Sequence, residues 1–402
     1  MPSTRRRLLT LCGLAAAGST ATLATGRDGE PDGPADWPMS RYDAAGTASH
    51  PSLAGPKDGV EVAWSRELPG GSFRALSPIH VDGRLYVVRD GLVALSSATG
   101  ETLFERDVPV GSTPALAAAS VYTTDTLAVT GRDGVGGLNA GGGVDLPVLG
   151  GTVGTRRWRG PRAADPGLLG QPTVVPPVTA DGTVYAAPGA EQVVALGAND
   201  GAVEWRARPT GTEYDGGQCN RPAVRDGRVF VTSYPYTAAA FDAETGSQRW
   251  ARDLDEQLVL APVATAAGVV VQTRSGVVLL DTADGTPQWR RSLETNVTEG
   301  APAVADGRVF LADDEETLYA LDLASGETLW TATVRDSGSP VVADGVVYTV
   351  ESGGRIVAVD AVSGRRRFTF DLERTTVSAP VVGDGRLYLT SFDGVMALEE
   401  PA

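Results

Sequence analysis

A nine-residue motif recurs along the chain about every 40 residues, and it constrains the fold more than any other feature of the sequence. The motif reads Pro-x-x-x-Asp-Gly-x-Val/Leu-Tyr/Phe, with apolar stretches on both sides of Asp-Gly. Asp-Gly is the strongest short signal for a β-hairpin, because glycine adopts the positive φ that the turn needs. This period predicts a repeat protein. Clear copies begin at Pro78, Pro177, Pro222, Pro302, Pro340 and Pro380, and weaker copies begin at Pro114 and Pro262.

A second pattern follows inside the same units: a small residue, a glycine six positions later and an aromatic residue four positions after that. The glycine predicts a turn between a third and a fourth strand, and the aromatic side chain can pack against the neighbouring unit. One four-stranded sheet cannot cover both of its faces, so the units must stack. The copies are Ala94/Gly100/Phe104, Ala195/Gly201/Trp205, Ala240/Gly246/Trp250, Leu279/Gly285/Trp289, Ala320/Gly326/Trp330 and Ala358/Gly364/Phe368.

From about residue 60 to residue 398, these motifs resemble the pyrroloquinoline-quinone (PQQ) repeat family of β-propellers. The resemblance implies an all-β propeller of four-stranded antiparallel blades, similar in fold to the propeller lipoprotein of the bacterial outer-membrane assembly machine. The eight repeat starts predict eight blades. In that family the alanine, glycine and tryptophan dock each blade onto the next, which assigns the matching residues here to structure. Phe104 and Phe368 depart from tryptophan, and Leu279 departs from alanine.

The last unit, from Pro380, ends at Ala402 after three strands and lacks the glycine and aromatic positions. The stretch Gly59–Leu68 looks like an unassigned fourth strand with its own aromatic residue, Trp64. We expect it to pair with Tyr388–Leu398 and to close the ring, because an open propeller would expose strand edges. Seven blades are the alternative. The unit from Pro114 is degenerate, and Gly131 to Gly170 reads as a glycine-rich insertion before or around Trp158.

The N-terminal residues predict export. Arg5, Arg6 and Arg7 precede an apolar run in the order of a twin-arginine signal, so we assign residues 1–25 to an export signal, 26–36 to a polar linker and 37–400 to the propeller. Lipidation at Cys12 is an alternative. Membrane association would then occur only through an uncleaved or lipidated N-terminus.

The chain is acidic, with a formal net charge of −16 and 33 of its 34 basic residues arginine, which makes nucleic acid an improbable partner. Lys57 is its one lysine, which excludes a phosphate-binding loop of the Walker type. Such a surface resembles that of proteins from extreme halophiles, where salt screens self-repulsion. We therefore expect a haloarchaeal host.

Residues for catalysis are scarce. With His50 and His80 as its two histidines, the chain has little from which to build a Ser-His-Asp triad or a zinc site. The sequence Asp313-Asp314-Glu315-Glu316 could hold Ca²⁺, although a solvated acidic turn is the favoured interpretation. No metal site is therefore predicted.

Two irregular segments are candidate ligand or partner loops, since propellers present variable loops on a rigid disc. One contains Arg156 and Arg157; the other, Pro209–Asn220, contains Tyr214, Gln218 and Asn220. An ordinary surface loop is the favoured interpretation of each.

The leading hypothesis is an exported, monomeric, non-catalytic propeller that serves as a protein-interaction or assembly scaffold at the cell surface, without a cofactor. The first alternative is a quinoprotein-like oxidoreductase with PQQ and Ca²⁺ in the central channel. The resemblance argues against it, because quinoprotein dehydrogenases carry an adjacent cysteine pair that this chain lacks. The second alternative is a propeller that binds a carbohydrate or another small ligand.

Overall fold

The computed structural model describes residues 36–70, 75–146, 151–162, 174–189, 192–213, 217–254, 256, 260–293, 300–335, 338–374 and 376–402. These residues form strands and turns without helix, and they belong to one compact unit, Gly33–Ala402. None of them forms a helix that could span a lipid bilayer. The predicted export signal, residues 1–25, lies outside the described residues.

Eight four-stranded antiparallel blades form a β-propeller, which confirms the predicted fold class. Two strands precede the first blade: β1 (Ser49–His50) and β2 (Glu61–Glu67). Blade 1 contains β3 (Ile79–Val81), β4 (Arg84–Val88), β5 (Leu92–Ser96) and β6 (Thr102–Arg106). Blade 2 and its inserted hairpin contain β7 (Ala115–Ala117), β8 (Thr126–Gly131), β9 (Gly134–Asn139), β10 (Val144–Asp145), β11 (Thr152–Val153) and β12 (Arg156–Arg159).

The next three blades each contain four consecutive strands. Blade 3 contains β13 (Val178–Ala180), β14 (Thr183–Ala186), β15 (Val193–Gly197) and β16 (Val203–Ala207). Blade 4 contains β17 (Ala223–Arg225), β18 (Arg228–Ser233), β19 (Thr237–Asp242) and β20 (Gln248–Asp253). Blade 5 contains β21 (Val263–Ala264), β22 (Val269–Thr273), β23 (Gly276–Leu280) and β24 (Pro287–Ser292).

The last three blades complete the ring. Blade 6 contains β25 (Ala303–Ala305), β26 (Arg308–Ala312), β27 (Thr317–Asp322) and β28 (Thr328–Thr333). Blade 7 contains β29 (Val341–Ala343), β30 (Val346–Glu351), β31 (Arg355–Asp360) and β32 (Arg366–Asp371). Blade 8 contains β33 (Val381–Gly383), β34 (Arg386–Thr390), β35 (Gly394–Glu399) and, on its outer side, β2.

The first strand of each blade lies nearest the propeller axis, because the first strands of neighbouring blades approach one another around the ring. The fourth strands lie at the rim: β23 is buried throughout, whereas β24 is mostly exposed. The hydrophobic core is divided into clusters between the faces of adjacent blades, such as the one between blades 5 and 6. Stacking therefore buries both faces of each sheet, as the repeat predicts.

The Asp-Gly pairs form the hairpin turns between first and second strands. In blade 7, Asp344 has φ 41° and Gly345 has φ 75°, and Ala343 pairs with Val346 across the turn. Two successive positive φ values define a type I′ turn, whose twist matches that of the flanking strands. The same pair of positive values occurs in the Asp-Gly turns of blades 1, 3, 4, 6 and 8.

The predicted closure of the ring is confirmed. Strand β2 pairs antiparallel with β35, and Trp64 lies opposite Ala397. The aromatic of the outer strand thus occupies the register seen in other blades, where Trp330 lies opposite Ala320. Strand β2, from near the start of the described chain, and the strands from its end complete one blade. The ring therefore closes without leaving the third strand of blade 8 as an unpaired edge. The alternative of seven blades is wrong.

Blade 2 corrects the interpretation of Gly131 to Gly170 as an insertion. Part of this segment forms the third and fourth strands, β9 and β12, and Trp158 lies opposite Gly137. The inserted part is the β10–β11 hairpin, which separates Gly142 from Trp158 and so interrupts the fixed spacing seen in the other units. Gly137 occupies the position of the small residue of the motif, because the indole of Trp158 lies directly against it.

Candidate functional site

We call the interface between adjacent blades a seam, and six seams contain the same tryptophan contact. The indole N–H of Trp205 donates to the carbonyl of Ala243 in the next blade at 2.8 Å, and Trp64 donates to the carbonyl of Ser97 at 2.9 Å. Each contact gives the indole N–H a hydrogen-bond partner and orients a large apolar face. The remaining pairs are Trp158–Ala198, Trp250–Thr282, Trp289–Leu323 and Trp330–Ala361.

Each of these indoles also lies over a glycine of the following blade. A Cβ built on Gly364 would fall 2.7 Å from the Trp330 ring, and Gly364 has φ 71°. Glycine is needed there for two reasons: the backbone lies in the left-handed region, and no side chain fits beneath the ring. Gly100, Gly201, Gly246, Gly285 and Gly326 have the same relation to the preceding tryptophan.

The two phenylalanine positions differ from each other. Phe104 lies over Gly142 of blade 2, and the Arg106 guanidinium carbon lies 5.1 Å from its ring centroid. Phe368 faces blade 8, where the third and fourth strands come from distant parts of the sequence and no turn connects them. The seam between blades 7 and 8 therefore has neither the indole hydrogen bond nor the glycine platform. Leu279, which departs from the alanine of the repeat, is buried opposite Trp289.

Gly364→Ala should destabilise the protein more than Gly345→Ala. Both glycines have φ above 70°, but a Cβ on Gly345 meets nothing within 4 Å. We expect about 1–2 kcal/mol for Gly345→Ala from the left-handed backbone alone, and about 1–3 kcal/mol more for Gly364→Ala from overlap with Trp330. Equal losses in denaturant unfolding would show that the indole does not constrain this position.

Residues 37–50, which we call the strap, run along the inner strands on the channel side. Backbone N–H groups of six blades donate to strap carbonyls at 2.8 to 3.0 Å. Each donor is the second residue after the repeat proline, so the strap uses the same position of each motif. The donor and acceptor pairs are His80–Trp37, Leu116–Pro38, Val224–Ala44, Ala264–Ala45, Val304–Thr47 and Val342–Ala48.

The side chains of the strap are held in the core. Trp37 is 2% exposed and packs against Tyr42, with ring centroids 5.1 Å apart. Met39 is buried against blades 2, 3 and 4, and Ala48 is buried between blades 6 and 7. The last two residues form β1, which pairs parallel with β29. The strap is therefore an integral part of the fold.

Two arginines, the buried Arg221 and the half-buried Arg41, fix the strap to the blades. Arg41 donates to the carbonyls of Gly46, Ala301 and Pro302, and Arg221 of the blade 4 entry donates to the carbonyl of Asp43. Burial, followed by repulsion from Arg221, lowers the pKa of Arg41 to about 9. Burial lowers the pKa of Arg221 to about 10. Removing the two guanidinium groups from water costs free energy, and their hydrogen bonds to backbone carbonyls offset that cost.

His80 lies at the junction of blade 1, blade 8 and the start of the strap. It is fully buried, its Nε2 lies 3.0 Å from Asp384 Oδ2, and its ring stacks on Tyr388 with centroids 5.4 Å apart. On the other side, Asp36 accepts a hydrogen bond from the backbone N–H of Asp82. His80 is thus packed in the interior between blades 1 and 8.

The candidate residues Arg156 and Arg157 lie in β12, at the rim of blade 2. Arg157 donates to the hydroxyls of Thr126 and Thr124 at 2.6 Å, and its guanidinium carbon lies 4.0 Å from the Tyr122 ring centroid. Arg156 lines a small apolar cavity between blades 1 and 2. Arg157 is therefore engaged by its own blade.

The second candidate loop lies elsewhere, at the entry to blade 4. Asn220 donates through its amide to the hydroxyl of Thr232 at 2.9 Å, and the Gln218 carbonyl accepts from the N–H of Tyr234. Tyr214 lies outside the described residues. The structure thus does not bring the two candidate loops together in one site.

The acidic sequence after β26 forms a turn. Asp313 is 3% exposed and accepts from the N–H groups of Glu315 and Thr317 and from the Tyr319 hydroxyl. Its oxygens therefore organise the turn itself. Within the described part of the chain, no three His, Cys, Asp or Glu side chains are grouped as ligands of one metal ion.

Comparison with known proteins places the chain among relatives with this architecture. A PQQ-repeat family model described as outer membrane protein assembly factor BamB matches residues 148–276, 256–339 and 314–399, more than half of the chain. The chain belongs to this family. The serine/threonine-protein kinase AfsK of Streptomyces griseus is 31% identical over 160 residues, 37% of this chain and 20% of the kinase.

BamB of Yersinia pestis is 31% identical over 170 residues, which are 38% of this chain and 42% of that protein. The chain thus spans less than half the length of these curated relatives. The quinohemoprotein alcohol dehydrogenase of Comamonas testosteroni superposes with a TM-score of 0.67 at 15% identity, over 91% of this chain and 81% of that one. At that identity the likeness shows the fold alone.

The strap is the element of this BamB-family propeller that sequence reasoning missed. Residues 37–50 lie outside the repeat, and the sequence motifs predict no particular role for them within the propeller. One signal was available: Trp37, Met39 and Tyr42 follow directly on a polar, glycine-rich stretch, where exposed large apolar side chains would be costly.

Acid should weaken the turns between third and fourth strands. A hydrogen bond from Arg249, followed by those from the Thr245 N–H and hydroxyl, lowers the pKa of Asp242 from 3.8 to about 2. Because the pKa of Asp242 is lower in the folded state, its carboxylate stabilises the fold at any pH above the unfolded-state pKa. That contribution disappears as the pH falls through about 2. In Asp242→Asn, we expect a deficit in melting temperature at pH 5 that shrinks towards pH 2. A deficit that does not change with pH would contradict this.

Proposed function

We propose that the protein is an exported, non-catalytic propeller that binds protein partners as an assembly scaffold at the cell surface. It works as a monomer and requires no cofactor. The observation that carries the proposal is the strap. In a propeller that performs chemistry at its axis, the channel has to admit a ligand, whereas here the chain's own residues 37–50 bond to the inner strands of six blades.

The family gives the proposal its second support. BamB is named as an outer membrane protein assembly factor, and we extend the role of assembly factor, with an extracytoplasmic location, to this chain. The resemblance of fold to a quinohemoprotein dehydrogenase carries no activity with it. Protein binding needs accessible apolar side chains on a rigid frame, and both are present at the rim.

The rim of blade 2 offers such a surface. Val144 and Val153 form a cross-strand pair in the inserted hairpin and are 64% and 52% exposed. Val121 and Tyr122, in the turn between the first two strands of the same blade, are also exposed. Arg157 packs on Tyr122 and holds its ring in place. Blade 2 is therefore the first place to look for a partner.

Site-specific photo-crosslinking in the native cell envelope tests the proposal. A benzoylphenylalanine at Tyr122 should give a discrete crosslinked product with one protein partner. The same probe at Val362, which is 65% exposed on blade 7, is the matched control. Crosslinks that are equal at both sites, or absent from Tyr122, would count against a partner surface on blade 2.

A separate assay tests the non-catalytic part. Purified protein is incubated with PQQ and Ca²⁺, and dye reduction is followed with alcohols and sugars. We expect no saturable turnover. Quinone-dependent turnover would overturn the scaffold proposal, and a shift of the melting temperature by one sugar in a ligand panel would instead favour a carbohydrate-binding propeller.

A further inference from the structure

The seam between blades 7 and 8 contains an open cleft of about 500 Å³. We call it the 7–8 cleft. Phe370 of β32 and Leu372, which follows that strand, line it on one side. Val62 and Ser65 of β2 and Met396 of β35 line it on the other. This volume lies within the range of pockets that hold a side chain or small ligand.

The cleft lies at the seam that lacks the repeated docking contact. Phe368 is buried against blade 8 but donates no hydrogen bond, and blade 8 has no glycine turn beneath its ring. On the blade 8 side, Val62 is 49% exposed. An apolar side chain on the blade 8 wall of the cleft is thus accessible to a partner.

The rim of the cleft is acidic. Asp371, Glu373 and Asp393 contribute carboxylates, and Arg374 is paired with Asp393 at 2.8 Å. Among the described residues, no ion pair joins Asp371 or Glu373 to a basic side chain. Glu373 has φ 53°, and its N–H donates to Asp371 Oδ1 at 3.1 Å, so the turn that carries both carboxylates has a defined backbone.

We propose that the 7–8 cleft binds an extended segment of a protein partner, which inserts an apolar side chain beside Phe370 and Met396 and places lysine or arginine next to Asp371 and Glu373. The inference rests on the proposed scaffold function and names the chemistry of one partner. A second copy of this chain is a poor occupant, because its net charge of −16 would repel the acidic rim.

A substitution that fills the cleft shows whether binding occurs there or on another surface. Ser65 is exposed on β2 and lies opposite Met396, so Ser65→Trp should occupy the space. Thr331 of blade 6 is the equivalent residue: it follows Trp330 as Ser65 follows Trp64, it is also exposed, and it lies opposite Tyr319. Thr331→Trp is thus a matched control, and equal melting temperatures of the two variants would show that both propellers are intact.

The probe is a fluorescein-labelled peptide, Lys-Lys-Phe-Leu-Phe-Lys-Lys, and its reversed-charge counterpart carries glutamate at the lysine positions. In fluorescence polarisation we expect the basic peptide to bind the full-length protein. Ser65→Trp should weaken binding at least about tenfold, and Thr331→Trp should leave it unchanged. Equal weakening by both variants, or equal affinity for both peptides, would overturn the proposal.

The charge contribution is tested by Asp371→Asn combined with Glu373→Gln. Affinity should fall several-fold at low salt, and its dependence on salt should decrease, since the lost attraction is the screened part of the interaction. An unchanged salt dependence would refute the role of the rim.

Photo-crosslinking distinguishes failure of this site from failure of the scaffold function. If the Tyr122 probe captures a partner while the basic peptide fails to bind, the 7–8 cleft is wrong and the scaffold function stands. If the peptide binds but neither Tyr122 nor a probe at Ser65 crosslinks a protein in the envelope, the scaffold function fails although the cleft is chemically competent.

Discussion

A chain that starts at Gly59, and so keeps β2 but lacks the strap, is expected to lose most of its stability. The inner strands of six blades would lose backbone partners, and the core would lose Trp37, Met39 and Tyr42. Burying each such side chain contributes about 1.5–3 kcal/mol. The combined loss is on the order of 5–10 kcal/mol, comparable to the whole stability of a typical domain.

A chain that starts at Gly33 is the matched control, because it keeps every described residue of the strap and β2. Thermal unfolding and size-exclusion chromatography of the two proteins measure the difference. If the shorter chain is insoluble, refolding it with a synthetic peptide of residues 33–58 should restore a soluble propeller in proportion to peptide concentration. An unchanged melting temperature in the shorter chain would show that the strap lies in the channel without stabilising it.

Trp64→Ala is expected to cost about 3 kcal/mol, the lower end of the range for large-to-small changes at aromatic residues, because Trp64 is half-buried. The indole lies over Gly100 and donates to the Ser97 carbonyl, so the change removes both the packing and a hydrogen bond between blades 8 and 1. Trp64→Phe should cost only about 1 kcal/mol for the missing hydrogen bond. Chemical denaturation of the three proteins gives these values.

Trp330→Ala is the internal comparison, since it removes the same contact at the seam between blades 6 and 7. Both alanine variants should lose similar equilibrium stability. Limited proteolysis should cleave Trp64→Ala faster near β2, because that strand is held to its blade only by pairing with a distant part of the chain. Identical cleavage patterns would show that the closing strand opens no more easily than an internal one.

The blade count and the closing strand could be predicted from sequence because their signals are local. An Asp-Gly pair specifies its own turn, and the glycine and tryptophan of each unit lie at fixed separations. Trp64 repeats the same chemistry at the start of the chain, and the last unit lacks that part. Matching the two requires no knowledge of the distance between them in space.

Blade 2 and the strap were not predictable in this way. The β10–β11 hairpin separates the parts of one motif, and glycines replace the small residue whose spacing marks the other units. The strap has no repeat of its own. Its carbonyls accept hydrogen bonds from residues that are 43 to 294 positions away in the sequence, such as His80 from Trp37 and Val342 from Ala48. Nothing in a local pattern specifies such pairings.

The sequence indicates an irregular seam next to Phe368, but it does not predict the 7–8 cleft itself. Phe368 departs from the tryptophan of the repeat, and that departure falls at the seam with the cleft. The open space itself depends on two further conditions: the missing glycine turn in blade 8 and the placement of Val62 and Ser65 opposite Phe370. Both follow from the closure of the ring, and neither follows from Phe368 alone.

The order of the chain has a consequence for biosynthesis. The strap and β2 leave the ribosome before any of the inner strands exist, yet β35, the partner of β2, is among the last segments made. The strap finds its partners one blade after another, but β2 must stay unpaired until translation is nearly finished. A message truncated before β35 yields a protein in which β2 has no partner strand.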